Sequence, residues 1–175
     1  MTEQALPFLG LEYGVLLALL LAARASDFIS TWIATPNLEL EANPIARRLG
    51  WRGGILLNVA VCSICARYPV PAIMIITSSA LVAARNFQSA WIMRTMGEEQ
   101  YRAWFSIQLY QTSKALYLFC TLAQVLITGG IGAALFFLSG DFLIPSAIGL
   151  GMIGYAAAVL IFTTTSAWQR LRRGR

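Results

Sequence analysis

The chain has 175 residues, 58% hydrophobic and 12% charged, with 13 Lys and Arg against 8 Asp and Glu and no His. A soluble domain carries about 45–50% apolar and about 25% charged residues, and so few charges cannot solvate a globular surface, so the composition argues for a membrane protein. The absence of His excludes a Ser-His or Cys-His nucleophile, a His-ligated haem and a His-bearing zinc site, which weighs toward binding or structure over catalysis.

A helix needs roughly 20 mostly apolar residues to cross the hydrocarbon core. Five segments are read as spans, at about 8–33, 52–67, 70–93, 113–138 and 142–165. The second is short but carries no charge in its core, Gly53 to Ala66. Pro69 and Pro71 punctuate the chain before the third, and Ser139-Gly140-Asp141 before the fifth. The first span is read as retained. Its lead-in, Met1-Thr-Glu-Gln, is acidic where a signal peptide is basic, although Ala23-Arg24-Ala25 mimics a small-x-small cleavage site.

Basic residues orient the spans. With Arg170, Arg172, Arg173 and Arg175 in the cytoplasm, five spans put the N-terminus outside. Ten basic residues then fall inside and Arg67 alone outside, with Arg24 and Arg85 inside spans. A four-span alternative with Gly53 to Ala66 re-entrant leaves four outside against seven inside, a poorer match to the positive-inside rule. The expected fold class is therefore an all-α polytopic membrane helix bundle in one domain, residues 1–175, N-terminus outside and C-terminus cytoplasmic. A short amphipathic helix near 97–110, opened by Glu98 and Glu99 and rich in Tyr101, Trp104, Phe105 and Tyr110, is expected to lie in the cytoplasmic interface.

Small residues let membrane helices approach closely. Gly14, Ala18 and Ala22 form one such stripe and Ala147, Gly151, Gly154 and Ala158 another, read as packing inside the bundle or as a contact with a second subunit. Gly129, Gly130 and Gly132 could allow a bend. Cys62-Ser-Ile-Cys65 resembles the redox pair of quinone-linked disulfide-forming enzymes. The second, shuttle pair is absent, since Cys120 stands alone in mid-membrane, so small inert thiols are the expectation. The chain's size and the Ala18-x-x-x-Ala22 step resemble the small substrate-binding subunits of vitamin importers, with one span too few.

Ionisable residues inside a span are costly and informative. Arg24, Asp27 and Thr31 share one helical face. Arg85 and Asn86 lie about 12 Å short of the cytoplasmic end of the third span, Asn58 at a similar depth in the second, and Thr163, Thr164 and Thr165 close the fifth. The loop Thr35-Pro-Asn-Leu-Glu-Leu-Glu-Ala-Asn-Pro44 joins that layer. Glu39, Glu41 and Asn43 alternate, so an extended chain would aim them one way, with Pro44 starting the next helix and Asn43 capping it. Asp27, Glu39, Glu41 and Asn43 would then supply oxygens, and Arg24 and Arg85 the counter-charges.

The pattern Asp27…Thr31…Glu41-Ala-Asn-Pro44…Gly50…Asn58 resembles a signature in a family of small, uncharacterised multi-spanning prokaryotic membrane proteins, over about the first third of the chain. The resemblance brings no activity. It implies only that Asp27, Glu41, Asn43 and Pro44 are the residues the pattern picks out, while Pro36-Asn37 departs from the glycine-containing turn expected there.

Two readings of the cluster compete: a structural salt-bridge network, or a site for a hard cation, polar headgroup or small solute. Paired-carboxylate catalysis is disfavoured, because a carboxylate beside arginine makes a poor acid. The expected function is binding or transport of an ion or small polar solute by Asp27, Glu39, Glu41, Asn43, Arg24, Arg85, Asn86 and Asn58, in the inner (plasma) membrane. The alternatives are a non-catalytic subunit of a larger membrane complex and an intramembrane enzyme on a lipid-like substrate. A cavity reaching Asp27 favours the first, and a dry, fully paired cluster the second. No cofactor is expected. The expected partners are membrane lipids and a homo-oligomer or partner membrane subunit, without nucleic acid, since the positive-inside rule and anionic lipids account for the basic balance.

Overall fold

Six helices carry the described chain: α1 (Leu11–Ala34), α2 (Pro44–Cys65), α3 (Pro69–Met96), α4 (Glu98–Gln111), α5 (Lys114–Leu138) and α6 (Leu143–Arg173). They are seen in a computed structural model that describes residues 5–41 and 43–173, with side chains described up to residue 165. The lead-in Met1–Gln4 and the side chains of the C-terminal arginines lie outside the described residues. Four helical segments are long and apolar enough to cross a membrane: Leu11–Ala34, Pro69–Met96, Lys114–Leu138 and Leu143–Thr165. Helix α2 is not among them.

The exterior is apolar. Phe119, Leu126, Phe137 and Leu138 are all more than two-thirds exposed, while Ser30, Ser79 and Thr121 are buried. A soluble protein rarely leaves such a surface bare; hydrocarbon covers it at no cost. The fold is thus an all-α, multi-pass membrane bundle.

Helix direction follows from paired contacts. Arg24 bonds Ser79 and Thr31 accepts from Asn86. Both pairs are 55 residues apart, so α1 and α3 run parallel. Tyr13 reaches the carbonyl of Ser63, Arg24 reaches Asn58, and Trp51 reaches the carbonyl of Pro36, so α2 runs antiparallel along α1. At the far end the amide of Leu6 donates to the carbonyl of Arg67, whose guanidinium lies 4.2 Å from the Phe8 ring centroid. Helix α1 packs along α3, α3 along α6, and α6 along α5.

Helix α2 begins where expected. Pro44 occupies its first turn and the Asn43 side chain accepts from the amide of Ile45 at 3.0 Å. It breaks at Gly50, whose φ of 62° and ψ of −174° suit glycine alone. Past that kink, 51–65 is the straight part, about 22 Å long at helical rise. Gly97, at φ 81°, turns the chain from α3 into α4, placing the predicted interfacial helix one residue from its expected start.

The two stripes of small residues meet different surroundings. Gly14 has no atom within 4 Å of where a Cβ would stand, and Ala18 and Ala22 are exposed, so the α1 stripe faces outward, away from the bundle. On α6, Ala147 and Gly151 are buried, Gly151 lying against Met74 and Thr77 of α3, but Gly154 is open. The close approach of α5 to α6 is made by Gly132 and Gly149. A Cβ on Gly149 would stand 2.8 Å from the amide nitrogen of Phe136 and 3.2 Å from the Leu135 Cβ. Helix α5 runs unbroken through Gly129, Gly130 and Gly132, so these glycines serve packing, and the predicted bend is absent. Gly149→Ala is expected to cost about 1–3 kcal/mol through overpacking, read as a lower melting temperature in detergent. Gly14→Ala, facing outward, is expected to leave it unchanged or slightly raised.

Candidate functional site

Arg24 anchors the polar layer. From the middle of α1 its Nε donates to Asn58 Oδ1 at 2.6 Å, and its Nη1 donates to Asp27 Oδ2 at 2.7 Å and Ser79 Oγ at 3.1 Å. One side chain thereby ties α1 to α2 and α3. The sequence spacing supplies the i, i+3 pair with Asp27, and the parallel packing of α3 brings Ser79 level with it. The Nδ2 of Asn58 donates to the carbonyl of Gly54, one turn earlier, at 2.8 Å. Gly54 leaves room for the Phe28 ring, which lies edge-on to Trp51 and beneath the Arg24 guanidinium.

Beside this hub lies a cavity of about 610 Å³. Its lining includes Arg24, Asp27, Glu41, Asn43, Asn58, Arg85 and Asn86, together with Thr31 and Thr163. Seven of the eight residues predicted for the site therefore meet around one space, contributed by α1, the α1–α2 loop, α2 and α3. Apolar and aromatic side chains, among them Leu49, Leu57, Val82, Tyr155 and Phe162, complete the walls. A volume of several hundred Å³ with few polar groups on apolar walls is the usual form of a small-molecule site.

Glu39 is the exception. It turns outward and pairs with Arg102 of α4 at 2.7 Å, with both side chains about half exposed. The loop is not extended, as the alternation of Glu39, Glu41 and Asn43 supposed. The chain turns over Thr35–Leu38, where Leu38 sits at φ 57°, and bends on through 38–40, and Glu41 folds back so that its Oε1 accepts the amide of Asn43 at 2.8 Å. The three expected carboxylates therefore do not converge, and among the described residues no group of three acidic or thiol side chains is placed to hold a metal ion. Arg85 is corrected as well. It is exposed, lines the cavity, and among the described residues forms no ion pair, so the counter-charge of Asp27 is Arg24 alone.

The residue that organises the loop is Glu98, read from sequence only as an acid suited to a helix N-terminus. It is 8% exposed. Its Oε2 accepts the Thr35 hydroxyl at 2.6 Å and the amide of Glu39 at 2.9 Å, while its Oε1 accepts the amide of Asn37 at 2.7 Å. Thr35 in turn accepts the amide of Leu40. Burial works against the charge, but these donors, with the Arg102 guanidinium nearby, hold the Glu98 carboxyl below its usual range. The loop that carries Glu41 and Asn43 into the cavity wall is thus wrapped around one carboxylate from α4. The available signal was an acid directly after the Gly97 turn, opposite a Thr-Pro step, and it does not name a partner 63 residues away.

Of the cysteines, Cys62 is buried, Cys65 half-buried and Cys120 exposed, all as free thiols. They lie away from the cavity, whose lining includes none of them. Comparison with family models finds no match, and comparisons with curated proteins and with solved structures find none either. Fold and surface define an integral membrane helix bundle; any reading of its activity rests on the cavity.

Proposed function

We propose that the chain is a five-span protein of the plasma (inner) membrane, N-terminus outside and C-terminus cytoplasmic. Its cytoplasm-facing cavity binds, or carries across, an ion or small polar solute. The observation that carries the site reading is the meeting of Arg24, Asp27, Glu41, Asn43, Asn58, Arg85 and Asn86 around one space inside an otherwise apolar bundle. Charges so placed are costly in a membrane and are retained mostly where they line a water-filled or ligand-filled path.

The fifth crossing is supported by helix direction. Parallel α1 and α3 require the chain between them to return along the bundle, and 51–65 makes that return beside α1. The positive-inside rule favours the same arrangement.

In a cysteine-free background, Glu41→Cys is expected to react with an impermeant thiol reagent only from the cytoplasmic side, and Tyr68→Cys only from outside. Labelling of position 41 from outside alone would overturn the orientation. For the site, Asp27→Asn and Glu41→Gln are expected to weaken retention of a co-purified solute in native mass spectrometry. Unchanged retention with a lowered melting temperature would make the cluster structural.

A second reading, a non-catalytic subunit of a larger complex, draws on the outward-facing Gly14, Ala18 and Ala22. The same native spectra separate it, by showing a second chain in place of a small ligand.

A further inference from the structure

The polar groups around the cavity differ in how far their bonding is already committed. Arg24 is held by Asp27, Asn58 and Ser79, and Asn58 uses both ends of its amide. Asn86 donates to Thr31. Among the described residues, two charged groups of the lining have no ion-pair partner. Arg85 carries five donors and, among the described residues, bonds nothing. Glu41 accepts one amide on Oε1 and leaves Oε2 without a partner among the described residues.

These two do not satisfy one another. The ion pairs among the described residues are Arg24 with Asp27 and Arg102 with Glu39, so the Arg85 and Glu41 charges stand more than 4.0 Å apart. They come from different elements, the α3 helix and the α1–α2 loop, and both line the same space. Glu41 is also near enough to Asp27 for their charges to interact, and the one guanidinium of Arg24 serves Asp27. Among the described residues, Glu41 therefore has no cation paired with it and Arg85 no anion.

Resting on the proposed solute-binding reading, we infer that the cavity takes a compact zwitterion, its anionic group on Arg85 and its ammonium group on Glu41. A guanidinium fork matches a phosphate or carboxylate by two parallel hydrogen bonds, and a carboxylate oxygen suits an ammonium donor. A ligand with both charges completes both ends without adding net charge to a space walled by Leu49, Leu57, Val82 and Phe162. A purely anionic ligand leaves Glu41 unmatched, and a cation leaves Arg85 so. Phosphoethanolamine carries this chemistry either as a soluble solute or as the headgroup of a phospholipid.

The test uses the full chain purified in detergent. Binding of glycerophosphoethanolamine is measured beside glycerol phosphate, which keeps the anion alone, and ethanolamine, which keeps the cation alone. The zwitterion is expected to bind at least tenfold tighter than either half. Arg85→Gln is expected to bring its affinity down to that of ethanolamine, and Glu41→Gln down to that of glycerol phosphate. The wild-type panel decides the matter even where a variant fails to fold.

Glycerol phosphate or ethanolamine binding as tightly as the zwitterion overturns the inference and leaves the solute-binding reading standing. Absence of binding by all three, together with unaltered melting of the chain in phosphatidylethanolamine against phosphatidylglycerol nanodiscs, overturns both. Stabilisation of at least several degrees in phosphatidylethanolamine nanodiscs, without binding of the soluble compound, assigns the zwitterion to a lipid headgroup.

Discussion

Glu98→Ala is expected to destabilise the chain by about 2–4 kcal/mol, because the Thr35 hydroxyl and the amides of Asn37 and Glu39 lose a shared charged acceptor in a buried setting. For a chain of this length that is a fall of about 5–10 °C in melting temperature. Glu98→Gln separates shape from charge. Its amide nitrogen cannot accept, so one of the two oxygens' roles is lost while the volume is kept.

The pH dependence follows from the depressed carboxyl. The unfolded chain titrates Glu98 near 4.5, and the folded chain titrates it lower. The folded state therefore binds fewer protons in that window. The stabilisation is fully present above 4.5 and is lost as the pH falls through the folded value. The difference in melting temperature between wild type and Glu98→Gln is thus expected to be constant from neutral pH to about 5, and to shrink below 4.5. A difference that stays constant down to pH 3 would show that the charge of Glu98 does not hold the loop.

The second large effect is at the Arg24 hub. Arg24→Met removes the cation of Asp27 and the donors to Asn58 and Ser79, leaving a carboxylate 14% exposed inside α1 with no positive partner. Breaking one side of a buried ion pair costs about 3–5 kcal/mol, whereas removing both charges is often far cheaper. The double substitution Arg24→Met with Asp27→Leu is accordingly expected to be more stable than Arg24→Met alone. A double-mutant cycle on chemical unfolding in mixed micelles should give a coupling of at least about 1 kcal/mol. Strictly additive losses would mean that the two side chains act independently and that the pair is incidental to the bundle.

Much of the bundle is legible in the chain itself. Runs of apolar residues placed the four long helices within a few residues, since a helix in hydrocarbon must satisfy its backbone internally and can hardly be anything else. The Asn43-Pro44 helix start and the helix after Gly97 were equally readable, being local matters of capping and turn geometry. The polar set was readable for a related reason. Arg24, Asp27, Asn58, Arg85 and Asn86 stand out because charge and amide are expensive within apolar helices, and all five line one cavity.

What the chain leaves open is which way a residue faces. Glu39 departs because alternation implies a common direction only in an extended chain, and this one bends through 38–40. For the α1 small-residue stripe, packing inside the bundle is excluded, because spacing defines a face without saying what the face meets. Gly132 and Gly149 went unpaired because close approach between two helices is a property of both. Glu98 was missed because its three donors come from a loop some 60 residues earlier.

By itself, then, the sequence determined that this is a helical membrane protein and which few charges lie within its apolar helices, because burial in hydrocarbon is a cost borne by each residue alone. Only the tertiary structure decided which of those charges neutralise one another. Arg24 is spent on Asp27, Glu39 on Arg102, and Arg85 and Glu41 are left facing a common cavity. The physical reason is range: an ion pair forms within a few ångströms, a distance set by helix direction, the turn over Thr35–Leu38 and the Glu98 clamp together.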